Sequence, residues 1–320
     1  MEAEAAARAR TLAPAKVNLA LRIGSKRGDG FHELVTIFQA VSLADQVEVE
    51  FFPGDRSVRD VDNGVELVVD GPDLGPVEQN LAWRAASEFL RTSGHQGAVS
   101  IHLTKLVPAG AGLGGGSSDA AAVLRCLAAL TGFDDREALR RMAARLGSDI
   151  PFFCGTSPTA IGRGRGERIQ AVEALPECRV ALALPPVHVA TGHAYEALAA
   201  SRAGAPPASL PEFDGLVSWD ELLNGLAIND FEATVAAAHP PVARSLAAMR
   251  GAGARLAMLS GSGAASFGLF DESLDAADTD RECAEMSRSL GWPVVSCTTL
   301  TCMPAIDLEE RTCAPGSAGG

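Results

Sequence analysis

The chain is poor in lysine: Lys16, Lys26 and Lys105 are its three, so 24 of its 27 basic residues are arginine. It is also poor in aromatics, 5% of 320 residues, with a single tyrosine, Tyr195. A solvated lysine is replaced by arginine at little cost, but a compact point charge in a confined site is not, which singles out these three lysines. No apolar run reaches the roughly 18–20 residues that a membrane-crossing helix needs. The apolar stretch around Val180–Val189 is broken by Pro185 and Pro186. The N-terminus, MEAEAAARAR, lacks the apolar core of a secretory leader. The 27 basic residues face 40 acidic ones, a net charge of −13 that argues against a general nucleic-acid surface without excluding a locally basic pocket. The seven cysteines include no CxxC pair and the six histidines no HxH or HExxH, so neither a disulfide framework nor a protein-held metal is expected. A reduced, cytoplasmic protein with no membrane or nucleic-acid partner is the expectation.

What is present reads as a globular α+β protein: 47% hydrophobic and 21% charged residues, over a length that suits two domains. Residues 1–12 read as a frayed, Ala-rich tail. Alternation predicts strands over 15–23, 34–41, 46–52, 65–69 and 98–103. Helices are expected over 80–91 and 136–146, and loops over 53–64 and 203–215. A buried strand from Arg179 opens a second block. It continues with helices over 229–238, 241–251 and 281–290, strands near 257–270 and over 294–300, and a disordered tail from 307. A boundary between blocks is expected at 165/166.

One segment stands out. In PAGAGLGGGSSDAAAVLRCLAALTG (108–132), a glycine-rich loop runs straight into a helix. Glycines let the backbone approach a ligand, and the free N–H groups and dipole of a helix N-terminus favour anions. Ser117 and Ser118 add hydroxyls, and Asp119 is placed to cap. The pattern is a phosphate cradle. It is not a Walker A loop, because no lysine follows Gly116. As a dinucleotide fingerprint GAGLGG is poor, since it lies outside any first βαβ unit.

The run Pro108-x-x-x-Gly112-Leu113-Gly114-Gly115-Gly116-Ser117-Ser118-x-Ala120-Ala121 resembles the signature of the GHMP small-molecule kinases. The segments AKVNL (15–19), DGFHEL (29–34), LGSDIPF (146–152) and SGSGA (260–264) occur in the order and spacing of those members whose alcohol acceptor carries cytidine diphosphate. The resemblance covers about 15–300. It implies a two-domain α+β fold: an N-terminal ATP-binding domain of the ribosomal protein S5 domain 2-like type over 1–165, and a C-terminal ferredoxin-like α/β sandwich over 166–306. It implies ATP as phosphate donor, with Mg²⁺ arriving on it, and a small cytidine-diphospho polyol as acceptor, in a monomer or homodimer. Asp149 is implied as the base and Lys16 as its cationic partner, although an edge-strand lysine or a turn aspartate would look the same in isolation. Pro108, Gly110, Gly112, Leu113, Gly114, Gly115, Gly116, Ser117 and Ser118 are implied around the ATP phosphates, Lys105 at the nucleotide site, and Asn80 and Leu81 near its adenine. Which serine meets magnesium stays open.

On the acceptor side the resemblance implies Asn18, Phe31 and His32, with Thr191 and Tyr195 opposite. Relatives usually carry Tyr where this chain has Phe31; stacking survives that change but a phenol hydrogen bond does not. Tyr195 is equally readable as core. Gly261, Ser262 and Gly263 are implied at the mouth of the site, or else form a plain hairpin. Arg22, Lys26 and Arg27 cluster nearby, either toward a diphosphate or as a solvated turn. The alternatives are a GHMP kinase for homoserine, mevalonate or a sugar, and a nucleotide-binding protein without chemistry.

Overall fold

The computed structural model describes residues 7–54, 64–203, 210, 211, 213, 217–271 and 275–310. Its first half is β1 (Ala7–Lys26), β2 (His32–Pro53), β3 (Val65–Asp70), α1 (Leu81–Ser93), β4 (Gly97–Thr104), α2 (Gly115–Thr131), α3 (Arg136–Leu146), α4 (Ile150–Phe153), β5 (Thr159–Gly164) and β6 (Arg168–Ala171). The second half is β7 (Arg179–Ala183), α5 (Thr191–Ser201), the helical turn α6 (Trp219–Glu221), α7 (Glu232–Ala238), α8 (Pro240–Gly251), β8 (Leu256–Leu259), β9 (Ser266–Phe270), α9 (Ala276–Leu290), β10 (Val294–Thr298) and β11 (Asp307–Glu310).

The first sheet runs β11-β1-β2-β4-β3, and the β5–β6 hairpin joins the N-terminal half of β2. The second is the antiparallel β10-β7-β9-β8. On one side of the first sheet α2 buries Ala120, Ala121, Val123, Leu124 and Leu127 against Ala13, Phe38 and Ala40. Its run of alanines lets the helix lie close to the strands. On the other side Val17, Leu19, Val35 and Ile37 share a core with Val180, Leu182, Met258 and Phe267 of the second sheet. β1 is therefore buried continuously from Ala13 to Leu21, and anything polar there, Lys16 and Asn18 included, must find partners inside the protein.

The α+β architecture agrees with the expectation, and several boundaries are corrected. Residues 7–12, expected as part of a tail, are strand: Arg8 and Arg10 face Glu50 and Glu48 across β2 while Ala9 and Thr11 point inward. Residues 307–310, expected to be disordered, form β11 on the outer edge of β1. The strands expected over 34–41 and 46–52 are one continuous β2. The β5–β6 hairpin carries the first sheet to Ala171. α9 starts at Ala276, where the Asp275 side chain accepts from the Asp278 N–H. Of the loops expected over 53–64 and 203–215, residues 55–63, 204–209, 212, 214 and 215 lie outside the described residues, as does the chain beyond 310. Among the described residues no helix is long and apolar enough to cross a membrane.

Candidate active site

Three chain segments that are far apart in sequence meet at Lys16. The first is β1, which buries Lys16 at its centre, 3% exposed. The ammonium donates to Asn18 Oδ1 and to the Gly112 carbonyl, both at 2.7 Å. Asn18 in turn donates to Thr36 Oγ1 at 2.7 Å, and Thr36 donates to the Ala20 carbonyl at 2.7 Å. Burial lowers the Lys16 pKa below the ordinary lysine value, and Asp149 opposes that with its charge and a hydrogen bond.

The second segment is the short α4. Asp149 sits at its N-terminal end, and its side chain caps nothing. Ile150, Phe152 and Phe153 are buried beneath, which fixes the backbone that carries it. One carboxylate oxygen lies 3.8 Å from Lys16 Nζ. The other is 3.4 Å from the Ser148 hydroxyl. The side chain keeps 30% of its surface open. A base beside a buried cation, with one face accessible, is an arrangement that can take a proton from a bound alcohol.

The third is the glycine loop, interlocked with the 260–263 turn. Gly112 has φ +90°, and a Cβ there would press into the Ser260 carbonyl and come within 3.1 Å of the Gly263 backbone. A Cβ at Gly263 would meet the Ala111 carbonyl in return. A Cβ on Gly261 (φ +61°) would reach Lys16 Nζ at 3.3 Å. Backbone packed on backbone leaves no room for side chains, and this is why glycine stands at 112, 261 and 263. Gly112→Ala is expected to destabilise the protein by about 2–4 kcal/mol through a left-handed backbone and the overlap with Ser260. A thermal-melt comparison with wild type measures it; an unchanged melting temperature would contradict the interlock.

Gly114 (φ +73°) is the N-cap of α2. At the helix start the Ser118 hydroxyl and one Asp119 oxygen are buried with no hydrogen-bond partner. The unpartnered Ser118 hydroxyl, a donor beside the free N–H groups of the first turn, fits a phosphate-bearing ligand; the Asp119 oxygen is an acceptor and does not add to that fit.

Lys105, implied at the nucleotide, is buried under the glycine loop. Its ammonium lies between Asp45 and Asp119, 2.7 Å from the latter, with 4% of the side chain exposed. Asp45 also accepts from the Leu106 and Val107 N–H groups, at 2.5 and 2.7 Å. Lys105 thus holds the loop from below, 3.4 Å from where a Gly115 Cβ would be. Asn80 caps α1 through the Ala82 N–H, and Leu81 comes within 3.8 Å of a Cβ built on Gly116. Pro108 and Gly110 lie on the solvent-facing approach to the loop, and Leu113 is buried below it.

A cavity of about 360 Å³ is lined by Lys16, Asn18, Asp149, Gly112, Gly114 and Ser117 together with Thr191, Tyr195, Gly261 and Ser262. The Ser262 hydroxyl donates to Thr191 Oγ1 at 3.2 Å, closing the far wall. His32 packs on Tyr195 with ring centroids 5.1 Å apart, and Tyr195 meets Phe231 edge-on at 4.8 Å. Burial, then the Asp149 charge, pushes the Tyr195 phenol above its ordinary pKa. Phe31 is 53% exposed at the rim. A wider groove of about 600 Å³ crosses β1, β2 and β4, where Arg10 pairs with Glu48 at 2.5 Å and the His102 ring is hydrogen-bonded to Asp70 at 2.8 Å.

Two residues were missed in the sequence. Asn229 donates to the Leu259 and Gly261 carbonyls at 2.9 and 2.8 Å and so fixes the 260–263 turn. Arg165 lines the cavity with its guanidinium 4.8 Å from the Phe31 ring centre. The GRGRGER hairpin was visible, but nothing in it separates a site arginine from a surface one.

Comparison with known proteins bears on this geometry. Residues 80–156 match the GHMP kinases N terminal domain and residues 211–285 the GHMP kinases C terminal domain. The chain is 39% identical over 292 residues, 90% of its length and 98% of the relative's, to the 4-diphosphocytidyl-2-C-methyl-D-erythritol kinase of Geobacter sp. (strain M21). It belongs to the 4-diphosphocytidyl-2-C-methyl-D-erythritol kinase family. The kinase of the same name from Anaeromyxobacter dehalogenans (strain 2CP-C) is 44% identical over 265 residues, covering 81% of this chain and 80% of the relative. A crystal structure of 4-(cytidine 5'-diphospho)-2C-methyl-D-erythritol kinase superposes with a TM-score of 0.71 at 35% identity, covering 91% of this chain and 98% of the other. GHMP kinases use ATP as phosphate donor, and in this member of the family the unpartnered Ser118 hydroxyl stands in the first turn of α2, next to the glycine loop.

Proposed function

We propose that the protein is an ATP-dependent kinase that phosphorylates the 2-hydroxyl of 4-diphosphocytidyl-2-C-methyl-D-erythritol, in the non-mevalonate route to isoprenoid precursors. The observation that carries the chemistry is the Lys16–Asp149 pair, 3.8 Å apart, in one cavity with the N-terminal end of α2. In this reading the glycine loop and the first turn of α2 bind the ATP phosphates. Asp149 orients the acceptor hydroxyl and accepts its proton as the oxygen attacks the γ-phosphorus and the bond to the β-phosphate oxygen breaks, releasing ADP. Phosphoryl transfer has a loose transition state, so positioning and charge neutralisation do most of the work. Lys16, held by Asn18 and the Gly112 carbonyl, offsets the charge that develops on the transferring group. Among the described residues no cluster of three or more His, Cys, Asp or Glu is arranged to hold a metal. Mg²⁺ arriving on ATP would neutralise phosphate charge, and the Ser117 or Ser118 hydroxyl is the ligand this chain would add.

The acceptor's identity rests on the aromatic end of the cavity. His32 Nδ1 lies 3.2 Å from the Gly24 carbonyl, a contact in which the ring N–H donates. In the neutral ring Nε2 is then an acceptor, matched to the exocyclic amine of cytosine. Tyr195 and Phe31 supply flat apolar faces for the base.

The test is a coupled ADP-release assay with ATP and Mg²⁺, in which the cytidine-linked substrate, mevalonate, homoserine and galactose are offered separately. Turnover with the cytidine compound alone is the expected result. Turnover with another alcohol would retain the Lys16–Asp149 chemistry and discard the base-binding reading. No turnover in any well, with ATP still bound, would leave a nucleotide-binding protein without chemistry.

A further inference from the structure

Several arginines surround the acceptor end of the cavity, and nearly all are committed. Arg22 pairs with Asp230 at 3.1 Å, Arg27 with Glu33 at 2.7 Å, and Arg168 with Glu33 at 2.8 Å. Arg163 donates to Gln170 Oε1 and to the Phe213 carbonyl, at 2.9 and 2.7 Å. Arg165 is the exception. Among the described residues its guanidinium makes no hydrogen bond, and its nearest carboxylate oxygen there, on Glu167, is 4.0 Å away. It is nonetheless held in place: its backbone N–H donates to Glu167 Oε2 at 2.6 Å, and its guanidinium lies over the Phe31 ring at 4.8 Å. That contact orients the cation without using its five N–H donors.

Its place in the cavity is specific. The next residue, Gly166, sits at the catalytic end, where a Cβ would be 3.9 Å from Asp149 Oδ1. The guanidinium reaches back to Phe31 at the aromatic end. Arg165 thus lines the cavity between the Phe31 ring that its guanidinium covers and the Gly166 backbone beside Asp149. In the proposed acceptor the order is cytosine and ribose, then diphosphate, then the polyol that carries the reacting hydroxyl. The cavity's other cation, Lys16, is already engaged by Asp149, Asn18 and the Gly112 carbonyl. In a chain of net charge −13, bringing a dianionic linker beside ATP requires a cation of its own.

We infer that Arg165, pinned by Phe31, binds the diphosphate of the acceptor and is thereby the residue that selects a nucleoside-diphosphate-linked alcohol over a free one. The inference rests on the cytidine-linked acceptor proposed above. An arginine fork suits this task because it presents paired N–H donors to phosphate oxygens.

The experiment compares wild type, Arg165→Gln and Arg165→Lys in steady-state turnover, and in calorimetric titration with cytidine diphosphate and with cytidine. For Arg165→Gln the KM for the acceptor is expected to rise roughly 10–100-fold, with kcat within about 3-fold and the KM for ATP unchanged. Wild type is expected to bind cytidine diphosphate more tightly than cytidine. Arg165→Gln loses that difference while binding cytidine as before, and Arg165→Lys recovers part of it. Equal loss of both ligands would make Arg165 a wall of the base site and overturn the inference. So would a variant that keeps the wild-type preference, or a raised KM for ATP in place of the acceptor. Wild type that turns over the cytidine-linked acceptor while Arg165→Gln is unaffected removes only the role of Arg165. Wild type that binds neither cytidine compound and phosphorylates another alcohol removes the acceptor reading and this inference together.

Discussion

Asp149→Asn is expected to lower turnover by about 10²–10⁴-fold while leaving the fold and ATP binding intact. The amide has the shape of the carboxylate and cannot take a proton. Little stability is at stake, because the Asp149 side chain caps no helix, and Lys16 keeps its bonds to Asn18 and to the Gly112 carbonyl. The α4 turn stays anchored by Ile150, Phe152 and Phe153. The substitution should also move the alkaline limb of the residual activity. Burial lowers the Lys16 pKa and Asp149 is what raises it again. With the carboxylate gone, burial acts unopposed, the ammonium loses its proton at lower pH, and the alkaline fall in rate shifts toward neutrality. The checks are a pH–rate profile and an ATP titration of both proteins. Near-wild-type turnover in Asp149→Asn would falsify the assignment of the base.

The residues around that pair were legible in unequal measure. The glycine loop could be read as a phosphate cradle because its signal is local: five glycines, two serines and a helix lie in one stretch of chain. The placement of Lys16 beside Asp149 brings together two residues 133 positions apart, which spacing alone does not give. The same limit explains the edges of the fold. Arg8 and Arg10 alternate with small residues, which read as a frayed tail until Glu50 and Glu48 are paired opposite them across the sheet. The strand at 307–310 has no pattern of its own beyond charge and exists because the edge of β1 is open there. Arg165 and Asn229 escaped for a related reason. One is one arginine of several in a hairpin, and the other is an asparagine whose partners are backbone carbonyls 30 and 32 residues away. The scarcity of lysine did mark Lys105 as a confined charge, but it left open which surroundings confine it.

Lys105→Met is expected to destabilise the protein by about 3–5 kcal/mol, the scale for removing one partner of a buried ionic cluster. Methionine fills much of the same volume, so the loss is electrostatic more than steric. It would leave the Asp45 and Asp119 carboxylates, 0% and 2% exposed, facing each other without a cation. Burial already raises the Asp119 pKa to about 7, with Lys105 lowering it and Asp45 raising it. A carboxyl whose pKa is raised in the folded state contributes stability that is complete below its unfolded value of 3.8 and is lost as pH climbs through about 7. Without Lys105 that dependence steepens, because two buried carboxylates must then ionise unopposed. The gap between Lys105→Met and wild type in urea unfolding should therefore be wider at pH 8 than at pH 6. The effect should also reach the site. Asp45 ties down the Leu106 and Val107 N–H groups at the start of the glycine loop, and Asp119 lies in α2 directly after its first turn. Substrate saturation at a temperature where the variant remains folded separates the two consequences. A raised KM for ATP with an unchanged KM for the acceptor would place the ion cluster beneath the phosphate loop as its support. Equal stability at both pH values, or a defect confined to the acceptor, would show that Lys105 serves something other than that loop.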